Sequence, residues 1–356
     1  MLSRPTASIV IVNYNGLAHL DPCLKAVRAQ EVDGGLDVTV VDNHSNDGSV
    51  EHLRQHHRWV RLITCTRNLG FAAASNLAMR AVAGEHIVLL NNDTQVRPGW
   101  LAALVDTAER EPRAGAVTSK LVFSDQPGVI QNAGGVLLSD GSGGDRGTRE
   151  PDEGQFDLEE EVFGFCGAAA LLRREAIDDV GTFDESFFMY YEDTDLSWRM
   201  RLRGWRVLYD PRAVVEHAHS PTSGEWSDFF LFHVDRNRLL MVLKNAPSSL
   251  VARSFSALGL RAMKLRGRVP DAPEADQLEV EFGAPESIAA DPVPSQPADA
   301  KATRRAALRL RVLRSFAAHA PAAVAARRVI RGRRTVPDRE VMRWMVRRSE
   351  WDARFA

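Results

Sequence analysis

The chain has 356 residues, with 45 Lys and Arg against 47 Asp and Glu, a formal net charge of −2. Hydrophobic residues are 44% of it and charged residues 26%, which excludes a collagen-like, wholly disordered or disulfide-scaffold protein and suits a globular one with ample core. Three scattered cysteines, Cys23, Cys65 and Cys166, argue against a disulfide framework or a cysteine-based zinc site and fit a reducing compartment.

Residues 1–125 alternate two patterns. Apolar runs at Ser8–Val12, Val38–Val41, Val60–Ile63 and Ile87–Leu90 predict buried strands, and helical spacing covers Leu17–Ala29, Gly48–His57 and Phe71–Ala83. Such alternation predicts a parallel sheet covered on both faces. Pro98 is expected to open a further helix running to about Glu109. From residue 115 the pattern changes to short strands and glycine-rich turns, Gly141-Ser-Gly-Gly144 among them, so residues 126–247 read as a second, loop-rich half. Helical spacing returns at Asp193–Arg203, Trp226–Lys244 and Ser248–Arg266, the last forming an extension over 248–269.

Residues 270–300 hold six Pro and eight acids with no Lys or Arg, and read as a disordered linker. Residues 301–356 carry one Lys and 15 Arg against four acids, a net +12 that leaves −14 on the first 300 residues. Ala306–Ala318 and Ala322–Arg334 mix arginine with apolar residues. Such a helix can lie on an anionic membrane, pack on the acidic body, or present a solvated face. It lacks aromatic interleaving or a recognition motif, so no nucleic acid is expected as partner. No segment reads as a signal peptide, and the longest apolar run, Val162–Leu172, has 11 residues where a span needs ~20. The expectation is a cytoplasmic protein, or one peripheral on the inner face of the cell membrane.

Ligands of open α/β sheets bind outside the carboxyl ends of the strands. Polar residues follow three of the predicted strands: Asn13-Tyr-Asn15-Gly, Asp42-Asn-His-Ser-Asn-Asp-Gly48 and Asn91-Asn92-Asp93-Thr. A dinucleotide glycine fingerprint and a P-loop are both absent after the first strand. Asp42 suits either a nucleobase or ribose contact or a helix cap, with Asp47 the better cap. Asp93 suits a turn or an oxygen ligand to a hard cation such as Mg2+ or Mn2+. Phe187-Phe-Met-Tyr-Tyr-Glu192-Asp193-Thr-Asp195 places three acids at a helix start. There they either complement the helix dipole or supply a base for a sugar hydroxyl. His217 and His219, two apart on a strand, share a face, and either could complete an oxygen-rich metal site, His217 first.

Together, Ile-Val-Asn-Tyr-Asn15, Val-Val-Asp42-Asn-His-Ser-Asn-Asp-Gly, Asn68-Leu-Gly-Phe-Ala-Ala-Ala-Ser-Asn76, Leu-Leu-Asn-Asn-Asp93-Thr and Tyr-Tyr-Glu-Asp193-Thr-Asp-Leu-Ser-Trp-Arg199 resemble a family 2 glycosyltransferase of the inverting GT-A type, over Ser8–Pro247. The Asn-Asn-Asp-Thr form, with Gly181-Thr-Phe-Asp-Glu185, is similar to the rhamnosyltransferase-like branch. The resemblance implies a Rossmann-like, mostly parallel sheet flanked by helices, with a C-terminal helical extension. It implies transfer of a sugar, rhamnose favoured, from a nucleotide-sugar such as dTDP-rhamnose to a glycan or polyprenyl-linked acceptor in cell-surface polysaccharide synthesis. It assigns Asp193 as catalytic base with Glu192 beside it. Asn13, Asn15, Asp42, Gly70, Asn76 and Asn92 go to the donor, and Asp93 and His217 to a divalent cation, Mg2+ or Mn2+. Asn91 replaces the usual first acid of the metal motif. Two other classes compete. A sugar-phosphate nucleotidyltransferase would want a basic triphosphate loop, which Asn13–Leu17 lacks, and a non-catalytic scaffold would not need the acids at 192–195.

Overall fold

The structure is a computed structural model and describes residues 6–218, 227–264 and 298–353. Strands β1 (Ala7–Asn13), β2 (Leu36–Asp42), β3 (Arg61–Thr64) and β4 (His86–Asn91) alternate with helices α1 (Leu17–Arg28), α2 (Ser49–His56) and α3 (Gly70–Ala81). β1 pairs in parallel with both β2 and β4, and β2 in parallel with β3. Side chains alternate across these strands, and both faces are dry. Ile9, Ile11, Val38 and Val40 pack with Leu20 and Leu24 of α1. Val10, Val41, Ile87 and Leu89 pack with Ala74, Ala78 and Met79 of α3.

After β5 (Thr94–Val96) comes α4 (Trp100–Arg110). Pro98 does not open this helix as expected. It lies in the preceding turn, and Gly99 enters the helix with a left-handed φ of 79°. The second half also differs from the expected set of short strands. β6 (Ala114–Phe123) has ten residues and β12 (Arg206–His217) twelve, and the two pair in parallel. Pro211 explains the misreading. The register of β12 slips between Asp210 and Val214, so one bulged strand reads as two fragments.

Between them lie β7 (Ile130–Asn132), β8 (Gly135–Leu138), β9 (Gly143–Asp145), β10 (Glu160–Glu161) and β11 (Ala169–Arg173). β11 inserts antiparallel between β4 and β6, so one ten-stranded sheet runs through both halves, in the order β10-β12-β6-β11-β4-β1-β2-β3 with β5 on β12 and β7 on β6. The sheet is mostly parallel and helix-covered, as expected.

Helices α5 (Arg174–Val180), α6 (Glu192–Leu202), α7 (Asp228–Asn245) and α8 (Ser248–Lys264) follow. The basic tail begins as one long helix, α9 (Ala298–Arg333), which carries both of the arginine-rich stretches and has Pro321 inside it. Then come α10 (Asp338–Val341), β13 (Met345–Val346) and α11 (Arg348–Asp352). α9 packs on the body. Ala323 is buried with Leu240 and Met241 of α7, and Phe316 and Ile330 pack against the same cluster. Arg327 donates to the carbonyls of Leu243 (2.9 Å) and Ala246 (2.6 Å) at the end of α7. β13 pairs in parallel with β8, tying the C-terminal segment to the second half. The expected linker lies outside the described residues except for its last three positions, which begin α9. The three cysteines are free thiols. No helix among the described residues is long and apolar enough to cross a membrane.

Candidate active site

Parallel pairing brings the carboxyl ends of β1, β2 and β4 to one edge. Asn13 stands in register with Asp42, and Val12 with Asn91. The polar residues after these strands form one hydrogen-bonded group. Asn13, fully buried, donates from Nδ2 to Asp42 Oδ2 at 3.0 Å and to Ser45 Oγ at 3.2 Å. It accepts at Oδ1 from Asn92 Nδ2 at 2.7 Å. Ser45 N donates to Asp42 Oδ1 (3.0 Å), and Asn15 Oδ1 accepts from Asn46 N (2.8 Å). Asp42 therefore does not cap the next helix. Asp47 takes that task for two helices, accepting from Leu17 N and Ser49 N. A carboxylate offers about four lone-pair positions, so Asp42 keeps acceptor capacity for a ligand.

Gly70 begins α3 with φ of 80°, and a Cβ there would lie 2.5 Å from the Phe188 ring. Only glycine serves both the backbone angle and that close approach. Asn76 is buried on α3 and commits its amide to the backbone of Phe183 (2.9 and 3.0 Å) and to Glu185 (3.1 Å). Its partners brace the approach to the acidic cluster and do not include the Asn13–Asp42 group.

The cation candidates meet at the end of β12. His217 pairs across from Thr94, and Ala218 N donates to Asp93 O at 2.9 Å. His217 Nε2 lies 3.1 Å from Asp93 Oδ1 and 3.5 Å from Asn91 Nδ2, while its Nδ1 lies 2.7 Å from Gln131 Oε1. With Nδ1–H donating to that amide oxygen, the Nε2 lone pair faces the Asp93 carboxylate. Two acceptors facing each other are completed by a proton or a cation, and an imidazole oriented by a second acceptor is the usual posture of a metal-binding histidine. These residues fit a hard divalent cation. Gln131 is one that sequence reading missed, because its β7 segment carries no motif. His219 lies outside the described residues.

The three acids at the start of α6 have three different environments. Asp195 is fully buried and paired with Arg199 Nε (2.9 Å), Lys244 Nζ (2.9 Å) and Asn245 Nδ2 (2.8 Å), a structural role. Glu192 is buried, and its Oε2 has no partner among the described residues. Burial first, and the Asp193 charge second, push its carboxyl well above the ordinary range, which favours the neutral acid. Asp193 is half-buried. Its Oδ1 accepts from Thr194 N (2.6 Å), and its Oδ2 from Gly167 N (3.1 Å). Burial raises its pKa, and these N–H bonds oppose the rise. The result is an anchored carboxylate more basic than usual. Ala168, next to Gly167, accepts from Asn91 N at 2.8 Å, so one short segment links Asp193 to the Asn91–Asp93 turn.

Asp193 is delivered by a strained loop. Phe188, Tyr190 and Tyr191 all take left-handed φ, at 66°, 68° and 70°. Each such non-glycine residue costs of order 1–3 kcal/mol and persists only where its surroundings over-determine it. Here α7 does so. Asn237 Nδ2 donates to the carbonyls of Phe187 (2.9 Å), Met189 (2.8 Å) and Tyr190 (2.8 Å). Arg236 Nη2 donates to those of Ser186 (2.9 Å) and Phe187 (2.8 Å). Both residues escaped sequence reading. An asparagine in the middle of a long helix was the available signal, since asparagine is a weak helix former.

Two features lie apart from this group. Asp21 Oδ1 holds His52 Nε2 and His57 Nε2, each at 2.7 Å, between α1 and α2. A cavity of about 660 Å³ lined by Arg28, Asp37, Trp59 and Arg61 contains none of the residues above.

The family model described as glycosyl transferase family 2 matches residues 8–181. An N-acetylglucosaminyl-diphospho-decaprenol L-rhamnosyltransferase of Mycobacterium tuberculosis is 31% identical over 237 residues, 61% of this chain and 77% of that protein. An O-antigen biosynthesis protein of Myxococcus xanthus is 30% identical over 61% of this chain and 17% of its own length. Among solved structures, GalNAc-T7 with UDP, GalNAc and Mn2+ superposes with a TM-score of 0.55 at 16% identity, covering 68% of this chain and 48% of that one. A mannosyltransferase of Pyrobaculum calidifontis with GDP-Man and Mn2+ gives 0.50 at 20% identity, over 91% and 87%. The fold is thus GT-A, and neither competing class is needed. With the strand-end asparagines and acids gathered at one edge and a rhamnosyltransferase among its relatives, this chain belongs to the family 2 glycosyltransferases and is rhamnosyltransferase-like.

Proposed function

We propose that the chain inverts configuration while moving a rhamnosyl unit from dTDP-rhamnose to a lipid-linked glycan acceptor in polysaccharide assembly, working peripherally on the inner face of the membrane. The observation that carries this reading is Asp193. It is a raised, anchored carboxylate joined through Gly167 and Ala168 to the turn that holds Asp93.

Asn13, Asn15, Asp42 and Asn92 form a fixed polar floor for the nucleoside. Asp93 and His217, with Gln131 behind them, would hold Mg2+ or Mn2+, which supplies positive charge against the departing diphosphate. Asp193 takes the proton from the acceptor hydroxyl. The oxygen forms its bond to the anomeric carbon as the bond to the diphosphate oxygen breaks, so configuration inverts in one displacement. Glu192, with its carboxyl pushed toward the neutral form by burial, adds little second negative charge beside the base.

The stripe of α9 turned away from the body supports attachment to an anionic surface. Leu310, Leu313 and Val324 are exposed there with Arg314 and Arg328.

The test is a panel of nucleotide-sugars screened by thermal shift with and without Mn2+, since a ligand that binds the folded state stabilises it. dTDP-rhamnose with Mn2+ is expected to give the largest shift. Asp193→Asn should keep donor affinity within a few-fold while transfer falls by roughly 10²–10⁴. Loss of donor binding in this variant would assign Asp193 a structural role.

A further inference from the structure

The first turns of α7 and the first half of α9 meet beside the loop that delivers Asp193, and the surface they form has a distinct chemistry. Phe188 of that loop stacks on His233 (centroids 5.3 Å, planes 20° apart) and meets Phe229 edge-on at 6.1 Å. Tyr190 meets Phe230 at 5.0 Å. Phe229 is 40% exposed, so the aromatic group opens to solvent. Two arginines one heptad apart on α9 border it. Arg311 places its guanidinium 5.3 Å from the Phe232 ring, and Arg304 Nε donates to Asp228 Oδ2 at 2.8 Å. Arg305 and Arg309 are exposed on the same stretch of helix. His233 stays neutral, with its pKa lowered to about 4 by burial first and then by Arg236 and Arg311. The positive charge here is therefore arginine charge and persists at any physiological pH.

Aromatic surface beside exposed guanidinium groups suits an anion with an apolar tail. Arginine binds phosphate oxygens with paired donors, and aromatic faces cover hydrocarbon. Asp228 is the acid facing Arg304, and a diphosphate, with more charge and more acceptors than one carboxylate, can displace it. The patch adjoins Tyr190, three residues before the base. An acceptor sugar seated at Asp193 with its anomeric substituent on this side would bring that substituent to the patch. We propose that Arg304, Arg311 and Phe229 form the subsite for the diphosphate and first isoprene units of a prenyl-diphosphate-linked sugar acceptor. This rests on the reading above that the acceptor is lipid-linked.

The test is direct binding of farnesyl diphosphate to the full chain in EDTA, so that the donor site lacks its cation. Inorganic diphosphate and farnesol are run separately. Wild type should bind farnesyl diphosphate more tightly than either fragment, and excess dTDP should not displace it. Arg304→Gln with Arg311→Gln should weaken it by roughly tenfold, and Phe229→Ser should weaken it without changing the affinity for inorganic diphosphate. Both arginines are exposed, and an unchanged melting temperature verifies that the variant is folded. Equal affinity in wild type and the arginine variant overturns the proposal. So does displacement by dTDP, which would place the probe in the donor site, and so does loss of anionic-vesicle binding with farnesyl diphosphate affinity unchanged, which would make the patch a membrane contact. The readout needs no turnover. Failure of the donor screen would therefore count against the rhamnosyl-transfer reading, not against this subsite.

Discussion

Glu192→Gln separates the two acids at the start of α6. In the folded chain the Glu192 carboxyl is buried, its Oε2 lacks a partner, and its pKa is raised from an ordinary 4.5 by burial and by Asp193. A raised folded pKa means that the stabilising effect of the proton is fully present below the unfolded value and is lost as pH rises toward the folded value. Each pH unit across that window costs the wild type about 1.4 kcal/mol. At pH 6.5, two units above the unfolded value, the loss is of order 2–3 kcal/mol for a folded group that keeps its proton. Glutamine has the same shape and no proton to hold. Its buried amide replaces a buried hydroxyl, so the two proteins should be equally stable at pH 4.5. Above that the variant should gain, reaching a Tm advantage of several degrees near neutrality. Melts of both proteins from pH 4.5 to 8 would show the curves diverging. Parallel curves, or a variant less stable at neutral pH, would show that Glu192 is ionised and stabilised by a partner, and the assignment of a neutral acid beside the base would fall.

Three further outcomes are expected. Asn91→Asp restores a second carboxylate beside His217 and should tighten Mn2+ binding by roughly tenfold in an EPR titration; an unchanged affinity would place position 91 away from the cation. Asn237→Leu removes the donor shared by three loop carbonyls and should lower kcat about a hundredfold by displacing the base, with donor Kd preserved; a lower Tm with unchanged kcat would leave Asn237 a purely structural residue. Leu310→Ser with Leu313→Ser should weaken co-sedimentation with anionic vesicles while Tm holds. Equal sedimentation would count against the membrane reading. Deleting residues 301–356 is a poorer test, because α9 covers Leu240 and Met241.

Much of the N-terminal half was legible because its signals are local. β1 to β4 and α1 to α3 each announce themselves by apolar period, and each observed boundary lies within three residues of the expected one. Strand-end polar residues also mark one sheet edge whenever the strands are parallel, so Asn13, Asp42 and the Asn91–Asp93 turn were expected together, and register brings them together. The second half was less legible because its order is long-range. β11 takes its place between β4 and β6 by pairing with residues about 50 to 90 positions away, and a bulge at Pro211 hid the length of β12.

Composition and charge determined that the chain has an acidic body and a basic end, and the motifs determined its family. Only tertiary structure decided what the individual charges do. Three acids within four residues look alike in sequence. Packing gives one an arginine and a lysine, leaves one neutral without a partner, and anchors one on a backbone N–H. The tail divides in the same way, with one stripe buried against α7 and the other left outward. The reason is physical. Residue type fixes which interactions a side chain can make, whereas its charge state and partners depend on the surface that folding places beside it.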